Sequence, residues 1–86
     1  MTVDQYNKSV DLYSDGIYRF ILKSINDMDE AKDIVQDTYE KLWVRAANVS
    51  FEKVKSYLFS TAYHTMIDKI RKNKRVTVIE EYNDVN

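Results

Sequence analysis

The chain has 86 residues, of which 31% are charged and 44% hydrophobic, a globular balance that excludes intrinsic disorder. One glycine and no proline are too few for the turns of β-sandwiches and barrels, and the length allows a single core. No apolar run approaches the roughly 20 residues that cross a bilayer, and we expect no signal peptide. The lack of cysteine excludes thiolate metal sites and suits a reducing cytoplasm. We therefore expect a small, all-α, cytoplasmic domain.

An apolar stripe predicts a first helix over about residues 3–25. The members of this stripe recur at steps of three and four: Tyr6, Val10, Tyr13, Ile17, and Phe20 or Ile21. Ser14, Asp15 and Gly16 interrupt the stripe with residues that favour helix caps or cost helix stability. We expect a break near Ser14–Gly16 that divides the stretch into two short helices.

Capping signals predict two further helices. Asp27 followed by Glu30 fits a capping box that opens a helix to about residue 47. Ser50 is a candidate N-cap for a third helix over about residues 51–73. These elements predict a bundle of three to four helices in residues 1–75. Residues 76–86 begin β-branched and end acidic, and we expect a tail or linker there.

Charge is segregated along the chain, although the formal net charge is only −1. Residues 27–40 contain six acidic residues and one lysine, whereas residues 53–75 contain seven basic residues and one aspartate. Separate blocks of opposite sign indicate two different partners, or one block that neutralises the other. Solvated helix faces with no partner are the alternative interpretation.

The second helix has an apolar arc and an opposite acidic arc at 100° per residue. Its apolar arc, predicted to face the core, contains Ala31, Ile34, Val35, Thr38, Leu42 and Ala46. The opposite arc contains Asp29, Asp33, Gln36, Asp37, Glu40 and Val44, with Trp43 at its edge. This arc is either a solvated face with Trp43 folded under its neighbours, or a docking surface whose carboxylates meet a basic partner and whose tryptophan anchors the centre. A metal site at Asp33 and Asp37 is disfavoured, because the pair faces water and lacks supporting ligands.

The third helix carries a polar and aromatic stripe beside its apolar one. The apolar stripe, predicted to face the core, contains Leu58, Phe59, Ala62, Met66 and Ile70. The other stripe begins aromatic and ends cationic: Tyr57, Ser60, His64, Asp68, Arg71 and Arg75. The loop and first turn add Asn48, Phe51, Lys53 and Lys55. Because rings stack on unpaired bases and cations neutralise phosphates, this pattern favours nucleic acid. Cations at the C-terminus of a helix are stabilised by the helix macrodipole. This effect explains one or two of the seven basic residues in residues 53–75, but not all of them.

Catalysis is not expected, because the lone histidine, His64, has no second base or nucleophile to pair with. We accordingly expect no cofactor and no metal. A helical protein-interaction module without a nucleic-acid role is the main alternative function. A helical-bundle enzyme or metal protein is the second alternative, and it would turn its carboxylates inward.

Two long motifs resemble region 2 of the extracytoplasmic-function (ECF) sigma factors of bacterial RNA polymerase, in the sigma-70 family. They are DEAKDIVQDTYEKLW at residues 29–43 and YLFSTAYHTMIDKIRKNKR at residues 57–75. The opening YNKSVDLYSDGIYRFILKSIND is similar to the first helices of that family. The resemblance covers nearly the whole chain as far as Arg75. It implies an all-α bundle of the sigma region 2 type that acts in transcription initiation.

The resemblance also implies two binding roles. The acidic helix would dock on the clamp helices of the polymerase's largest subunit through Asp33, Gln36, Asp37, Tyr39 and Trp43, with Asp29 and Glu40 as further candidates. The loop and third helix would recognise and help melt the promoter's minus-ten element, flipping a non-template base into a pocket. By position, Asn48 and Phe51 would lie at the pocket loop. The other DNA-binding candidates are Lys53, Lys55, Tyr57, Ser60, His64, Arg71, Lys72, Lys74 and Arg75.

The sequence departs from the family pattern at three places. Tyr57 stands where tryptophan is usual, and Tyr63 and His64 replace a frequent arginine and asparagine. The third departure is that these 86 residues do not include the second helix-turn-helix domain that is usual in the family. We therefore expect the chain to be the N-terminal half of a longer protein, whose linker begins at residues 76–86. The resemblance further implies an anti-sigma factor as a partner, and the proposed surfaces suggest a monomer.

Overall fold

A computed structural model describes the backbone of residues 1–85 and the side chains of residues 1–72. Three helices pack against one another in pairs, and the part of the backbone described contains no strand, which confirms the all-α prediction. None of these helices has both the length and the apolar character needed to span a membrane, over the residues described. The elements are α1 (Val3–Ile25), α2 (Met28–Arg45), the 3-10 turns Ala46–Asn48 and Phe51–Lys53, and α3 (Val54–Val85).

The predicted break in the first helix is wrong, because α1 runs unbroken from Val3 to Ile25. Gly16 lies inside the helix, and Phe59 of α3 lies 3.6 Å from the position that a Cβ atom would occupy there. Asp15 forms a 2.6 Å ion pair with Arg19 one turn later. Burial of the apolar face on both sides of the glycine outweighs its low helix propensity, since packing supplies most helix stability in proteins.

The observed helix caps agree only in part with the caps predicted from the sequence. The Asp27 carboxylate accepts a 3.1 Å hydrogen bond from the Glu30 amide, as predicted for the start of α2. The Glu30 carboxylate points elsewhere and lies 3.8 Å from Lys69 Nζ. Ser50 precedes a 3-10 turn rather than α3 itself, and its carbonyl accepts a 3.0 Å bond from the Lys53 amide. The Asp27 cap is therefore confirmed, whereas the reciprocal half of the predicted capping box is not found.

The ends of α2 and α3 differ from their predicted positions. Helix α2 ends at Arg45, and the next residues form a 3-10 turn instead of a further α-helical turn. Helix α3 continues past the predicted end near residue 73 to Val85. The linker role of residues 76–86 stays a prediction, and residue 86 lies outside the described backbone.

The core lies along the line where the three helices meet. Most of the residues predicted to face the core on α2 and α3 are buried, although Val35, Ala46, Phe59 and Ile70 are only half-buried. Each fully buried aliphatic side chain contributes about 1.5–3 kcal/mol relative to an exposed one. The buried hydrophobic residues are Ile17, Ile21, Ala31, Ile34, Tyr39, Leu42, Val54, Leu58, Ala62 and Met66.

Hydrogen bonds between helices also constrain how the helices align. The Tyr39 hydroxyl donates to the Ser9 carbonyl at 2.8 Å, and the Tyr6 hydroxyl donates to the Tyr39 carbonyl at 3.2 Å. Lys41 Nζ donates to Thr65 Oγ1 at 2.7 Å and joins α2 to α3. Among the described side chains, no buried nitrogen or oxygen lacks a hydrogen-bond partner. Slippage of α2 along α1 would therefore leave buried polar groups unpaired, at a cost of about 1–3 kcal/mol each.

Candidate functional site

The outward side of α2 carries an acidic surface, defined here as Asp29, Asp33, Gln36, Asp37 and Glu40. Four of these side chains are exposed, and Asp37 is half-buried. Trp43 lies one turn beyond Glu40 with 56% of its surface exposed, and Val44 beside it is also exposed. An indole exposed to this extent at the end of a row of carboxylates resembles the anchor-and-rim arrangement of protein interfaces. Carboxylates that project outward do not fit the inward metal sites of helical-bundle enzymes.

Part of the acidic surface is already neutralised within the molecule. Lys69 of α3 places its Nζ atom 3.7 Å from the Asp37 carboxylate and 3.8 Å from that of Glu30. Lys69 belongs to the basic block of residues 53–75, so the basic and acidic blocks are in contact at this residue. All three side chains are partly exposed, and such pairs contribute at most about 1 kcal/mol. Within the described side chains, the carboxylates of the acidic surface that form no ion pair are therefore Asp29, Asp33 and Glu40.

Tyr39 does not lie on the acidic surface, contrary to the prediction from the family resemblance. Only 8% of its surface is exposed, and its hydroxyl is bonded to the Ser9 carbonyl of α1. Burial raises the pKa of Tyr39 to about 12. The prediction failed because α1 covers the side of α2 on which Tyr39 lies, beside the predicted apolar arc. Tyr39 is thus a core residue and leaves the list of docking candidates.

An aromatic cluster supports the Trp43 end of the acidic surface. The rings of Tyr6 and Trp43 meet edge to face, with centroids 5.1 Å apart and an interplanar angle of 76°. Tyr6 also meets Tyr39 edge to face at 5.9 Å. Burial, and then the Glu40 carboxylate, raise the pKa of Tyr6 above its usual value. Tyr6 was predicted only as a member of the apolar stripe of the first helix, and periodicity alone does not indicate its contact with Trp43.

A groove of about 840 Å³ lies where the loop after α2 meets the first turns of α3. It brings together four residues predicted to bind DNA: Asn48, Lys53, Tyr57 and Ser60. Four further lining residues were not predicted: Val49, Ser50, Ser56 and Thr61. Ser56 and Ser60 are four residues apart, so the helical period could have indicated that they share a face with Tyr57. The groove offers hydroxyl groups, an amide, one aromatic ring and one ammonium group, which are suitable contacts for a base and its phosphate.

The other DNA-binding candidates whose side chains the structure describes lie outside this groove. Phe51 is half-buried and packs against the core, and Lys8 Nζ lies 5.9 Å from the centre of its ring. The side chains of Lys74 and Arg75 are outside the described residues. Four other candidates are exposed and do not line the groove: Lys55, His64, Arg71 and Lys72.

Neither surface contains a ligand set for a metal. Among the described residues, no three His, Cys, Asp or Glu side chains are grouped so that they could hold an ion. His64 packs edge to face against Tyr63, with ring centroids 5.8 Å apart, and both side chains are exposed. The chemistry that the two surfaces offer is therefore ion pairing, hydrogen bonding and stacking.

Comparisons with known proteins point to one family. The family model described as sigma-70 region 2 matches residues 10–76. The chain is 31% identical over 81 residues to the ECF RNA polymerase sigma factor SigM of Bacillus subtilis (strain 168), which covers 94% of this chain and 48% of the relative. It is 31% identical over 72 residues to SigW of the same strain, another ECF RNA polymerase sigma factor, covering 83% of this chain and 38% of that relative. The RNA polymerase sigma factor SigV of that strain is 29% identical over 70 residues, covering 80% and 42% of the two chains. The chain thus spans about half or less of the curated relatives it matches, and no solved structure matches it.

Proposed function

Because the chain belongs to the sigma-70 region 2 family, we propose that it is the polymerase-binding and promoter-binding region of a bacterial sigma factor acting in transcription initiation. The observation that carries the proposal is the presence of two separate surfaces with different chemistry. One is the acidic surface with the exposed Trp43, and the other is the groove beside Tyr57.

In this proposal the acidic surface docks on the clamp helices of the polymerase's largest subunit. The exposed carboxylates of Asp29, Asp33 and Glu40 meet lysine and arginine side chains and steer the approach, with Gln36 among them. Trp43 buries its indole at the centre of the contact and supplies most of the affinity. Asp37 joins the contact from its place beside Lys69.

The groove and α3 then bind the non-template strand of the minus-ten element. A base that leaves the duplex enters the groove and contacts Tyr57, with hydroxyl groups of Ser56 and Ser60 within the same lining. Unpairing costs a few kcal/mol, whereas stacking returns about 1–3 kcal/mol per base. Lys53, Arg71 and Lys72 add a salt-dependent attraction to phosphates. Because unpairing offsets most of the stacking, the chain alone binds duplex more weakly than single strands, and it binds both weakly until docking on polymerase raises the effective concentration of DNA.

The reaction itself belongs to the polymerase, and this region contributes differential binding to melted promoter. The whole protein acts in the cytoplasm, where RNA polymerase is found, as a monomeric subunit. Residues 76–86 begin a linker to a further DNA-binding domain, in keeping with the greater length of the relatives. An anti-sigma factor that covers one of the two surfaces would keep the protein inactive.

Charge reversal on the acidic surface tests the proposal. Asp33→Lys combined with Glu40→Lys removes two exposed carboxylates without breaking the Asp37 and Lys69 contact. Binding of the labelled 86-residue chain to bacterial core RNA polymerase, measured by fluorescence anisotropy, should weaken at least about tenfold. The matched control is Asp11→Lys, which reverses an exposed charge on α1 and should change binding little.

Two results would contradict parts of the proposal. Undiminished polymerase binding by the reversed variant, with a helical circular dichroism spectrum, would exclude docking through this surface. Retention of polymerase binding by a chain that does not bind single-stranded DNA at any salt concentration would favour a protein-interaction module without a nucleic-acid role.

A further inference from the structure

The exposed indole of Trp43 contacts an aromatic ring from another helix. Tyr6 of α1 meets Trp43 edge to face, with centroids 5.1 Å apart. More than half of the indole surface is open to solvent, and Tyr6 itself is half-buried. Beside the pair lies a shallow cavity of about 150 Å³ that Tyr6 and Trp43 both line. A large exposed side chain at the end of a helix would otherwise exchange among rotamers in water.

Tyr6 is in turn held by contacts with Tyr39 of α2. Its hydroxyl donates a 3.2 Å hydrogen bond to the main-chain carbonyl of Tyr39, and its ring contacts the Tyr39 ring at 5.9 Å. The Tyr39 hydroxyl is bonded to Ser9 inside the core. The Glu40 carboxylate contributes, after burial, to the raised pKa of the Tyr6 hydroxyl, so Tyr6 lies within electrostatic reach of the acidic surface. These contacts therefore hold the Tyr6 ring in place beside the residues of the acidic surface.

We propose that Tyr6 is a positioning residue for docking, which holds the Trp43 indole in the exposed orientation that meets the polymerase. The inference rests on the proposed function of the acidic surface. It goes beyond the family match, because Tyr6 precedes the matched residues 10–76. Its physical basis is preorganisation, since a side chain that is already held loses less conformational freedom when it is buried at an interface.

Three substitutions separate this role from a structural one. Tyr6→Leu removes the ring and keeps an apolar side chain, whereas Tyr6→Phe keeps the ring and removes only the hydroxyl bond to Tyr39. Tyr39→Phe is the matched control, because it breaks the bond to Ser9 and leaves the Trp43 contact in place. Tyr6→Leu should weaken binding of the 86-residue chain to core RNA polymerase about two- to tenfold. The two phenylalanine variants should bind within about twofold of the unchanged chain.

The motion of the indole can be measured directly, because Trp43 is the only tryptophan in the chain. Time-resolved fluorescence anisotropy of the free chain should show faster local motion of the indole in Tyr6→Leu than in the unchanged chain. Both phenylalanine variants should show the slow motion of the unchanged chain. If Tyr6→Leu does not fold, Tyr6→Met replaces it, because methionine fills a similar space with a flexible side chain that has no ring.

The outcomes distinguish this inference from the proposed function. Unchanged indole motion and unchanged docking in a folded Tyr6→Leu or Tyr6→Met variant would overturn the inference. Equal losses of docking in Tyr6→Leu, Tyr6→Phe and Tyr39→Phe would also overturn it, because they would indicate a general loss of stability. If Trp43→Ala weakens docking but Tyr6→Leu does not, only the inference fails. If Trp43→Ala leaves docking unchanged, the docking role of Trp43 fails together with the inference.

Discussion

The hydroxyl of Tyr39 donates a 2.8 Å hydrogen bond to the main-chain carbonyl of Ser9, and this bond joins α2 to α1 inside the core. The Ser9 side chain is fully buried, and its hydroxyl donates to the Tyr6 carbonyl at 2.6 Å. A polar cluster thus lies within apolar packing. Its members constrain how α1 and α2 align, because each buried polar group needs its partner.

Removal of the Tyr39 hydroxyl should lower stability without changing the fold. We expect Tyr39→Phe to lower the free energy of unfolding by about 1 kcal/mol, the usual net contribution of one hydrogen bond. Urea denaturation followed by circular dichroism measures the change. Tyr18→Phe is the control, because the Tyr18 side chain lines a surface concavity with Ser14 and Lys32, and we expect a change below about 0.5 kcal/mol there. Equal effects at the two positions would show that the Ser9 bond adds nothing.

The same tyrosine should make stability depend on alkaline pH. Burial raises the pKa of Tyr39 from 10.0 to about 12, so the folded chain holds this proton where the unfolded chain has lost it. Its contribution to stability is therefore complete below pH 10 and is lost as pH rises towards 12.

Tyr39→Phe isolates this contribution from the other tyrosines and lysines that titrate nearby. The difference in free energy of unfolding between the unchanged chain and Tyr39→Phe should shrink as pH rises above about 10. Urea denaturation at a series of pH values measures this difference. A difference that stays constant with pH would show that Tyr39 titrates alike in the folded and unfolded chains.

The helical Gly16 should tolerate a methyl group. Phe59 Cζ lies 3.6 Å from the position of an added Cβ atom, which is ordinary van der Waals contact. Because alanine favours the helix over glycine, we expect Gly16→Ala to raise the free energy of unfolding by about 0.5–1 kcal/mol. Thermal and urea denaturation check this. A loss of stability would show instead that Phe59 requires the closer approach that glycine allows.

Gly16 also shows the limit of local sequence signals for this fold. The apolar stripe predicted α1 and the capping signals predicted α2 and α3, because both depend on neighbours along the chain. Asp27 predicted the start of α2 correctly. The break at Gly16 was wrong because the cost of glycine in a helix is small compared with the burial of Ile17 and Ile21 against the other helices. That burial depends on tertiary contacts, which a single helix does not reveal.

The candidate site was predictable to a similar extent. The helical period placed the acidic arc of α2 on the outside, as the exposure of Asp33 and Glu40 confirms. It did not predict that Tyr39 is covered by α1, or that Lys69 turns towards Asp37, because both depend on how neighbouring helices are oriented. The groove lining was only half predicted. Val49 and Ser50 lie between the two 3-10 turns, where no simple period applies, whereas the period of α3 could have indicated Ser56.

The exposed cations of α3 should bind phosphates without regard to sequence. Arg71→Ala and Lys72→Ala should each weaken binding to single-stranded DNA and reduce the slope of log affinity against log salt by about 0.7. Fluorescence anisotropy with labelled oligonucleotides of different sequences measures both quantities. Lys32→Ala is the matched control, because this exposed lysine lies on α2 beside Ser14 and Tyr18, away from the groove. A loss confined to one DNA sequence would contradict phosphate binding.

The ring of Tyr57 should contribute stacking energy in the groove. Tyr57→Ala should weaken single-stranded DNA binding by about 1–3 kcal/mol, the range for one stacked base, and Tyr57→Trp should strengthen it. Tyr57 also packs against the core, so unfolding curves must show that each variant is folded under the binding conditions. Tyr63→Ala, which removes an exposed ring outside the groove, should leave affinity unchanged. Identical affinity of Tyr57→Ala and Tyr57→Trp would exclude stacking at this position.

Because α3 runs without a break, it fixes the distance between the DNA-binding candidates along its length. Tyr57 and Lys72 lie fifteen residues apart on this one helix, which corresponds to about 22 Å along its axis. Successive nucleotides of a stacked strand rise about 3.4 Å along its axis, so the ring and the lysine would contact nucleotides about six positions apart. An oligonucleotide of three or four stacked residues is too short to contact both ends of this helical segment. Affinity for single-stranded DNA should therefore rise sharply once the strand is long enough to contact both Tyr57 and Lys72, rather than evenly with each added nucleotide.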